Sequence, residues 1–287
     1  MRRIPPLITV LAICILSVAC NRLGGRSFVP ALEGYEMEPC STLLLKKSLR
    51  EISGISFRSP GELIAINDEL GVAFLLNPLT GDIEKRPFGK KADYEELVYT
   101  PEGYYVLESN GNLHLLDDDN FSEQQVYYGS FPRYTEFESM VYDPERNQLL
   151  LFCKTCGRNA DTINAWRFDL RTHSYLEEPA FSIPIRTIRS MGKDDTIECQ
   201  PSAAAFHPLT KRIYIIASIG KVLLECAPNG KLEAVYNING DLFQQPEAIC
   251  FAPNGDMYIA NEGRQSKASL LFFPYRKAVV ITETKQP

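Results

Sequence analysis

The chain has 287 residues, 45% of them hydrophobic and 23% charged. This composition excludes a disordered chain and is enough for one large β domain or two ordinary ones around a sizeable core. Acidic residues number 36 against 30 basic ones, a net charge of −6 at pH 7. That balance argues against nucleic acid as a partner, because binding phosphates needs a basic surface.

The N-terminus reads as an address. Arg2 and Arg3 precede an almost unbroken apolar run at 7–18. The run is shorter than the ~20 residues of a spanning helix and ends in small residues, as an export signal does. Its end, Leu16-Ser-Val-Ala-Cys20, resembles a bacterial lipobox, although the large aliphatic residue stands four places before the cysteine rather than three. Residues 1–19 are therefore expected to be a lipoprotein-type signal peptide, with Cys20 as the lipidated residue. An ordinary secretory signal with an incidental cysteine is the alternative. The expected location is the bacterial cell envelope, with the lipid on Cys20 holding the chain to the inner or outer membrane. Residues 20–38 read as a flexible tether and 39–287 as the folded domain. Loss of Arg2 and Arg3 takes the net charge to −8. With Cys20 acylated, six cysteines remain for disulfides in an oxidising compartment.

The rest of the chain repeats. One short segment recurs as Ile52-Ser-Gly-Ile-Ser-Phe57, Tyr94-Glu-Glu-Leu-Val-Tyr99, Phe137-Glu-Ser-Met-Val-Tyr142, Pro201-Ser-Ala-Ala-Ala-Phe206 and Pro246-Glu-Ala-Ile-Cys-Phe251. Most copies are followed by a turn signal, a second apolar strand and a third, and a more polar fourth strand is visible around Ile83, Gln125, Phe181 and Ala234. Four short antiparallel strands per unit, with no long amphipathic helix, predict a five-bladed all-β propeller. The copies are spaced by 42, 43, 64 and 45 residues. The long interval predicts one blade with about twenty extra residues, at 157–163 and 186–200, and a sixth blade there is the alternative. The fifth unit lacks an obvious fourth strand, so an N-terminal strand at 42–46 is expected to close the ring, in competition with the apolar tail at 278–282.

Several strings carry a resemblance: Leu49-Arg-Glu-Ile-Ser-Gly-Ile55, Ala65-Ile-Asn-Asp-Glu69, Asp93-Tyr-Glu95, Leu150-Leu-Phe-Cys-Lys154, Pro201-Ser202 and Gln245-Pro-Glu247. Together they resemble the SdiA-regulated (YjiK-like) family of bacterial envelope proteins over about 35–275. The resemblance implies a five-bladed propeller, distantly related to NHL-type propellers, with Ca²⁺ near the axis and no established activity. The chain departs from the family in the glycine that usually follows the acidic residue. Glu96, Ser139, Ala203 and Ala248 stand there instead, which is expected to narrow the channel.

Aligning the five copies puts Ser53, Glu95, Glu138, Ser202 and Glu247 at one position of the innermost strands. Equivalent positions fall on one circle around the channel, so three carboxylates converge there. Like charges held together raise their pKa values or recruit a cation. Hard oxygen donors without His or Cys suit Ca²⁺ rather than Zn²⁺, and Glu95, Glu138 and Glu247 are the expected metal ligands; strand-capping glutamates are the plainer alternative. The start of each first strand lies beside the end of the second. Asn67, Asp68, Glu69, Glu108, Lys154, Asn261 and Glu262 are thus expected around the ring with Ser53 and Ser202, and Arg264 nearby. The expected partner at this acidic mouth is a small molecule, a glycan or a protein.

Other motifs carry less. Cys153-Lys-Thr-Cys156 has redox spacing but no βαβ context, and a disulfide within the pair or to Cys199 is the better reading. His114, His173 and His207 stand on separate units, and no Ser/His/Asp spacing suggests a hydrolase triad. Asp117-Asp-Asp119 lacks the EF-hand spacing. A binding module at the channel mouth is the expected function, and a metal-dependent hydrolase of lactones, esters or phosphates at the same mouth is the alternative.

Overall fold

The computed structural model describes residues 28–276 apart from 30, 37, 159, 160 and 265. The expected signal segment, Cys20 and the tail at 278–282 lie outside the described residues. In chain order, β1 (Phe28–Val29) and β2 (Ser41–Leu44) precede the first full blade. That blade is β3 (Ile52–Ser59), β4 (Glu62–Asn67), β5 (Val72–Leu76) and β6 (Ile83–Pro87). The second is β7 (Tyr94–Thr100), β8 (Gly103–Glu108), β9 (Leu113–Leu116) and β10 (Glu123–Tyr127). The third is β11 (Thr135–Asp143), β12 (Gln148–Cys156) and β13 (Thr162–Asp169), with β14 (Ser174–Tyr175) and β15 (Phe181–Pro184) both paired to β13. After helix α1 (Ile185–Gly192) comes the fourth, β16 (Ala203–Phe206), β17 (Ile213–Ala217), β18 (Val222–Cys226) and β19 (Leu232–Ile238). The fifth is β20 (Pro246–Phe251), β21 (Met257–Asn261) and β22 (Ser269–Phe273).

Every pairing inside a blade is antiparallel, and the inner strands β3, β7, β11, β16 and β20 neighbour one another in a closed circle. The chain is a five-bladed β-propeller. The ring is closed by β2, which pairs with β22 from Ser41↔Phe272 to Leu44↔Ser269. Among the described residues the long insertion forms no sixth sheet. Its extra residues split the fourth strand in two and form α1, an element that the strand pattern does not announce. Ile185 and Ile188 are buried on one face of α1, and Lys193, in the left-handed region at φ 55°, ends it with its N–H on Arg189 O.

The N-terminal boundary also shifts. The second half of the expected tether is part of the fold, because β1 adds to the outer edge of β19 and Leu32 and Tyr35 are buried. The Tyr35 hydroxyl donates to Gly255 O at 2.6 Å and lies 2.8 Å from His207 Nε2. An anchored tyrosine of this kind ties the leading segment to the last two blades.

The core is not one body. It consists of five apolar wedges, one between each pair of adjacent blades. Strand β4 shows why: Leu63 and Ala65 face the fifth blade while Ile64 and Ile66 face the second. Alternate residues point to opposite faces of a strand, so a strand buried on both faces must be apolar throughout.

Candidate functional site

Four inner strands break register at the same place. The pairing of β3 with β4 skips between Ile52 and Gly54, and β7 with β8 between Tyr94 and Glu96. The same break lies between Phe137 and Ser139 and between Pro246 and Ala248. The skipped residues are Ser53, Glu95, Glu138 and Glu247. A β-bulge leaves one residue unpaired and re-aims its side chain, and here each bulge turns the repeat-position residue into the channel. In the fourth blade Ser202 lies just before β16, with its N–H on Ile216 O at 2.9 Å. Its hydroxyl donates to Pro246 O at 2.6 Å and accepts from Ser218 N–H at 3.1 Å, so it stitches the fourth blade to the fifth.

These five residues line one cavity of about 390 Å³ at the end of the channel where the inner strands begin. Of the residues expected around the ring, Asp68, Lys154 and Glu262 line it, and so does Arg264. Four others are engaged elsewhere. Asn67 Oδ1 accepts from Leu70 N–H, and the Asn261 amide donates to Leu242 O and Ser269 Oγ. Glu69 lies 3.8 Å from Lys91, and Glu108 pairs with His114. That histidine is held between two carboxylates, Glu108 at 3.0 Å and Glu123 at 2.6 Å. The cluster spans β8, β9 and β10 and depends on their register, which spacing alone did not show.

The cavity also contains a tier that sequence reasoning missed. Glu51, Asp93, Glu136, Gln200 and Gln245 all line it. Each stands two places before a ring residue, so reading the same alignment two columns earlier would have found them. Among the described residues eight carboxylates line the mouth against two cationic side chains, Lys154 and Arg264.

The electrostatics follow from that imbalance. Burial, then the charges of Glu138 and Asp93, pushes the Glu95 carboxyl up to about 9. Glu247 is pushed up to about 8 by burial and then by Glu138. Asp68 rises to about 6, chiefly by burial, with Glu51 and Glu69 adding to it. Burial also raises Glu138, which its hydrogen bond to Lys154 partly offsets. Burial pulls the Lys154 ammonium down, but its contact with Glu138 outweighs that and raises it. The Gln245 amide donates to Glu262.

The donor chemistry of this mouth fits a hard divalent cation: carboxylate, hydroxyl and amide oxygens, and neither His nor Cys. Three of these oxygens, Ser53 Oγ, Asp68 Oδ1 and Gln245 Oε1, are buried without a hydrogen-bond partner among the described residues. A ligand shell is not closed: among the described residues no three His, Cys, Asp or Glu side chains converge as a ready metal group. Glu138 is instead engaged by Lys154.

One residue further along the strands is the ring Gly54, Glu96, Ser139, Ala203 and Ala248. Glu96 is 1% exposed and its Oε1 accepts the Leu97 N–H at 3.0 Å. A Cβ on Gly54 would stand 2.8 Å from that same oxygen, so only glycine leaves room for it. Burial drives the Glu96 carboxyl well above its usual range, against the pull of the nearby Leu97, Ala204 and Ile55 amides. The expected narrowing of the channel is thus concentrated in one side chain.

The cysteines sort themselves. Cys153 and Cys156 form a disulfide at the end of β12, Cys199, Cys226 and Cys250 are buried thiols, and Cys40 is exposed. No helix among the described residues is long and apolar enough to cross a membrane.

No protein-family model matches the chain, and no curated protein does. Likeness is found among solved structures. Myxococcus xanthus glutaminyl cyclase superposes with a TM-score of 0.58 at 11% identity, over 83% of this chain and 96% of that one. A protein of unknown function from Bacteroides thetaiotaomicron VPI-5482 gives 0.51 at 11% identity, over 78% of this chain and 56% of that one. Both neighbours are bacterial propellers, and at such identities the likeness shows the fold alone.

Proposed function

We propose that this chain is an exported propeller of the SdiA-regulated type, held to an envelope membrane by lipid on Cys20, that binds Ca²⁺ at its acidic mouth. There it acts as a binding module for a small molecule, glycan or protein. The observation that supports this reading is the set of four bulges, which aim three glutamates into a cavity with eight carboxylates and two cations. Without a cation, Glu95 and Glu247 hold protons at neutral pH. Glu95, Glu247 and a Glu138 released from Lys154 would hold the ion, whose charge would offset theirs. The unpartnered oxygens of Ser53, Asp68 and Gln245 are within the same cavity to complete its ~6–8 oxygen ligands.

The test is calorimetric titration with CaCl₂ alongside melting in CaCl₂ and in EDTA. A bound ion stabilises the native state, so millimolar Ca²⁺ should raise the melting temperature by several degrees. Glu95→Gln and Glu247→Gln should each weaken binding at least tenfold. Glu123→Gln should leave it unchanged, because Glu123 sits with His114 away from the mouth. Identical melting in CaCl₂ and EDTA, with no heat of binding, would refute the proposal.

A second reading has one observation in its favour. Asp68, at about 6, is tuned to the range of a general base at neutral pH and lines the same cavity. This supports metal-dependent hydrolysis of a lactone, ester or phosphate. Turnover of chromogenic substrates of those classes, lost in Asp68→Asn, would establish it; an inactive chain that still binds Ca²⁺ would leave the binding module.

A further inference from the structure

The channel has a second end, with the opposite chemistry. Where the inner strands finish, a cavity of about 290 Å³ is lined by apolar side chains from all five blades, among them Ile55, Leu97, Val141, Phe206 and Ile249. Tyr99, 45% exposed, stands among its lining residues. Among the described residues Glu96 is the one charged member of its lining. Its Oε1 accepts from Leu97 N–H; the Ala204 and Ile55 amides lie near the carboxyl, but Oε2 is buried and accepts no hydrogen bond among the described residues.

An orphaned carboxyl oxygen in such a place costs free energy unless something pairs with it. Shape and lining restrict the partner. An apolar wall excludes a strongly hydrated ion, and the volume suits a compact ring system or a short chain. A hydroxyl donates to a carboxylate and accepts from a carboxylic acid, so it matches Glu96 in either protonation state. We infer that this end of the channel is a binding site for an uncharged apolar alcohol, aromatic or aliphatic, whose hydroxyl bonds to Glu96 Oε2 while its hydrocarbon body fills the cavity. The site is distinct from the acidic mouth and stands whether or not that mouth binds Ca²⁺.

The residues level with Glu96 on the other inner strands show why such a site needs this side chain. At the positions of Gly54, Ala203 and Ala248 no polar atom reaches the axis, and the Ser139 hydroxyl is not part of the cavity lining. Of that ring only Glu96 brings a polar side chain to the cavity, whose lining also includes Ser56.

The probes are 2-naphthol and 2-methylnaphthalene, in which a methyl group that can neither donate nor accept replaces the hydroxyl, titrated into the folded wild-type chain and followed by fluorescence and by NMR of labelled methyl groups. The naphthol should bind about tenfold more tightly than the hydrocarbon, the preference expected of one well-made buried hydrogen bond. Methyl shifts should be confined to Ile55, Leu97, Val98, Val141 and Ile249, which line the cavity. Glu96→Gln should keep the preference, and Glu96→Leu should abolish it while both probes still bind. Should Glu96→Leu fail to fold, the wild-type ratio and the methyl map decide. Equal affinity for the two probes, no binding, or shifts elsewhere on the molecule would overturn the inference, as would a preference that survives Glu96→Leu.

Discussion

Glu95 shows how one side chain stores the character of the mouth. Its ordinary value is 4.5, and burial with two neighbouring carboxylates takes it to about 9. The folded state therefore holds this proton more tightly than the unfolded state does. The stability this gives is complete below about pH 4.5 and is lost as pH climbs through about 9. Glu247 adds the same trend, ending near 8. The metal-free chain should thus melt at steadily lower temperature between about pH 5 and pH 9. Glu95→Gln should flatten that slope and stabilise the metal-free fold at pH 8 by on the order of 1–3 kcal/mol. A melting temperature that is level or rising over the window would show that these carboxyls ionise freely. Alignment made the ring residues legible, since a repeat places equivalent positions on one circle. Their bulges were not legible, because a bulge is a mismatch with the partner strand and not a property of one segment. Glu96 was seen as a departure from a glycine, but not as part of a cavity lining, because its burial depends on Gly54 of the neighbouring blade.

At the scale of elements, the closing strand β2 was readable from what the fifth unit lacked. A blade with three strands leaves an edge of unpaired backbone, and the leading segment held the only apolar strand not yet assigned besides the tail. The side chains of this strand divide sharply. Leu45, just past β2, is 4% exposed in the wedge between the fifth and first blades, whereas Leu44 is 60% exposed. Leu45→Ala should cost about 2–5 kcal/mol and lower the melting temperature accordingly, while Leu44→Ala should change stability by less than about 0.5 kcal/mol. Equal effects would mean that β2 does not seal that wedge. The third blade resisted reading for the opposite reason. Its fourth position is filled by two fragments, β14 and β15, each too short to show alternation, and α1 has only two buried isoleucines to mark its face. Strand β1, of two residues, left no pattern at all.

The whole molecule carries an asymmetry that no single element does. The propeller is five wedges around a channel, acidic and polar at the end where inner strands start and apolar where they finish, with Glu96 between the two cavities. The bulges account for this polarity: before them the inner strands present Glu, Asp, Gln and Ser to the axis, and after them Ile, Leu, Val, Ala and Phe. The leading segment pairs at outer edges, β1 on the fourth blade and β2 on the fifth, and none of its described residues lines either cavity. An attachment at Cys20 therefore leaves both ends of the channel free of the anchor's own chain from Phe28 onward. Such an attachment would be separable from folding, because Cys20 precedes Phe28, the first paired residue among the described ones. Cys20→Ser should move the protein from the membrane fraction to the soluble one, with the melting temperature of the purified chain unchanged to within about 1 °C. Continued membrane association of Cys20→Ser would disprove the lipid anchor. A lowered melting temperature would show that the segment before Phe28 contributes to the fold rather than only leading to it.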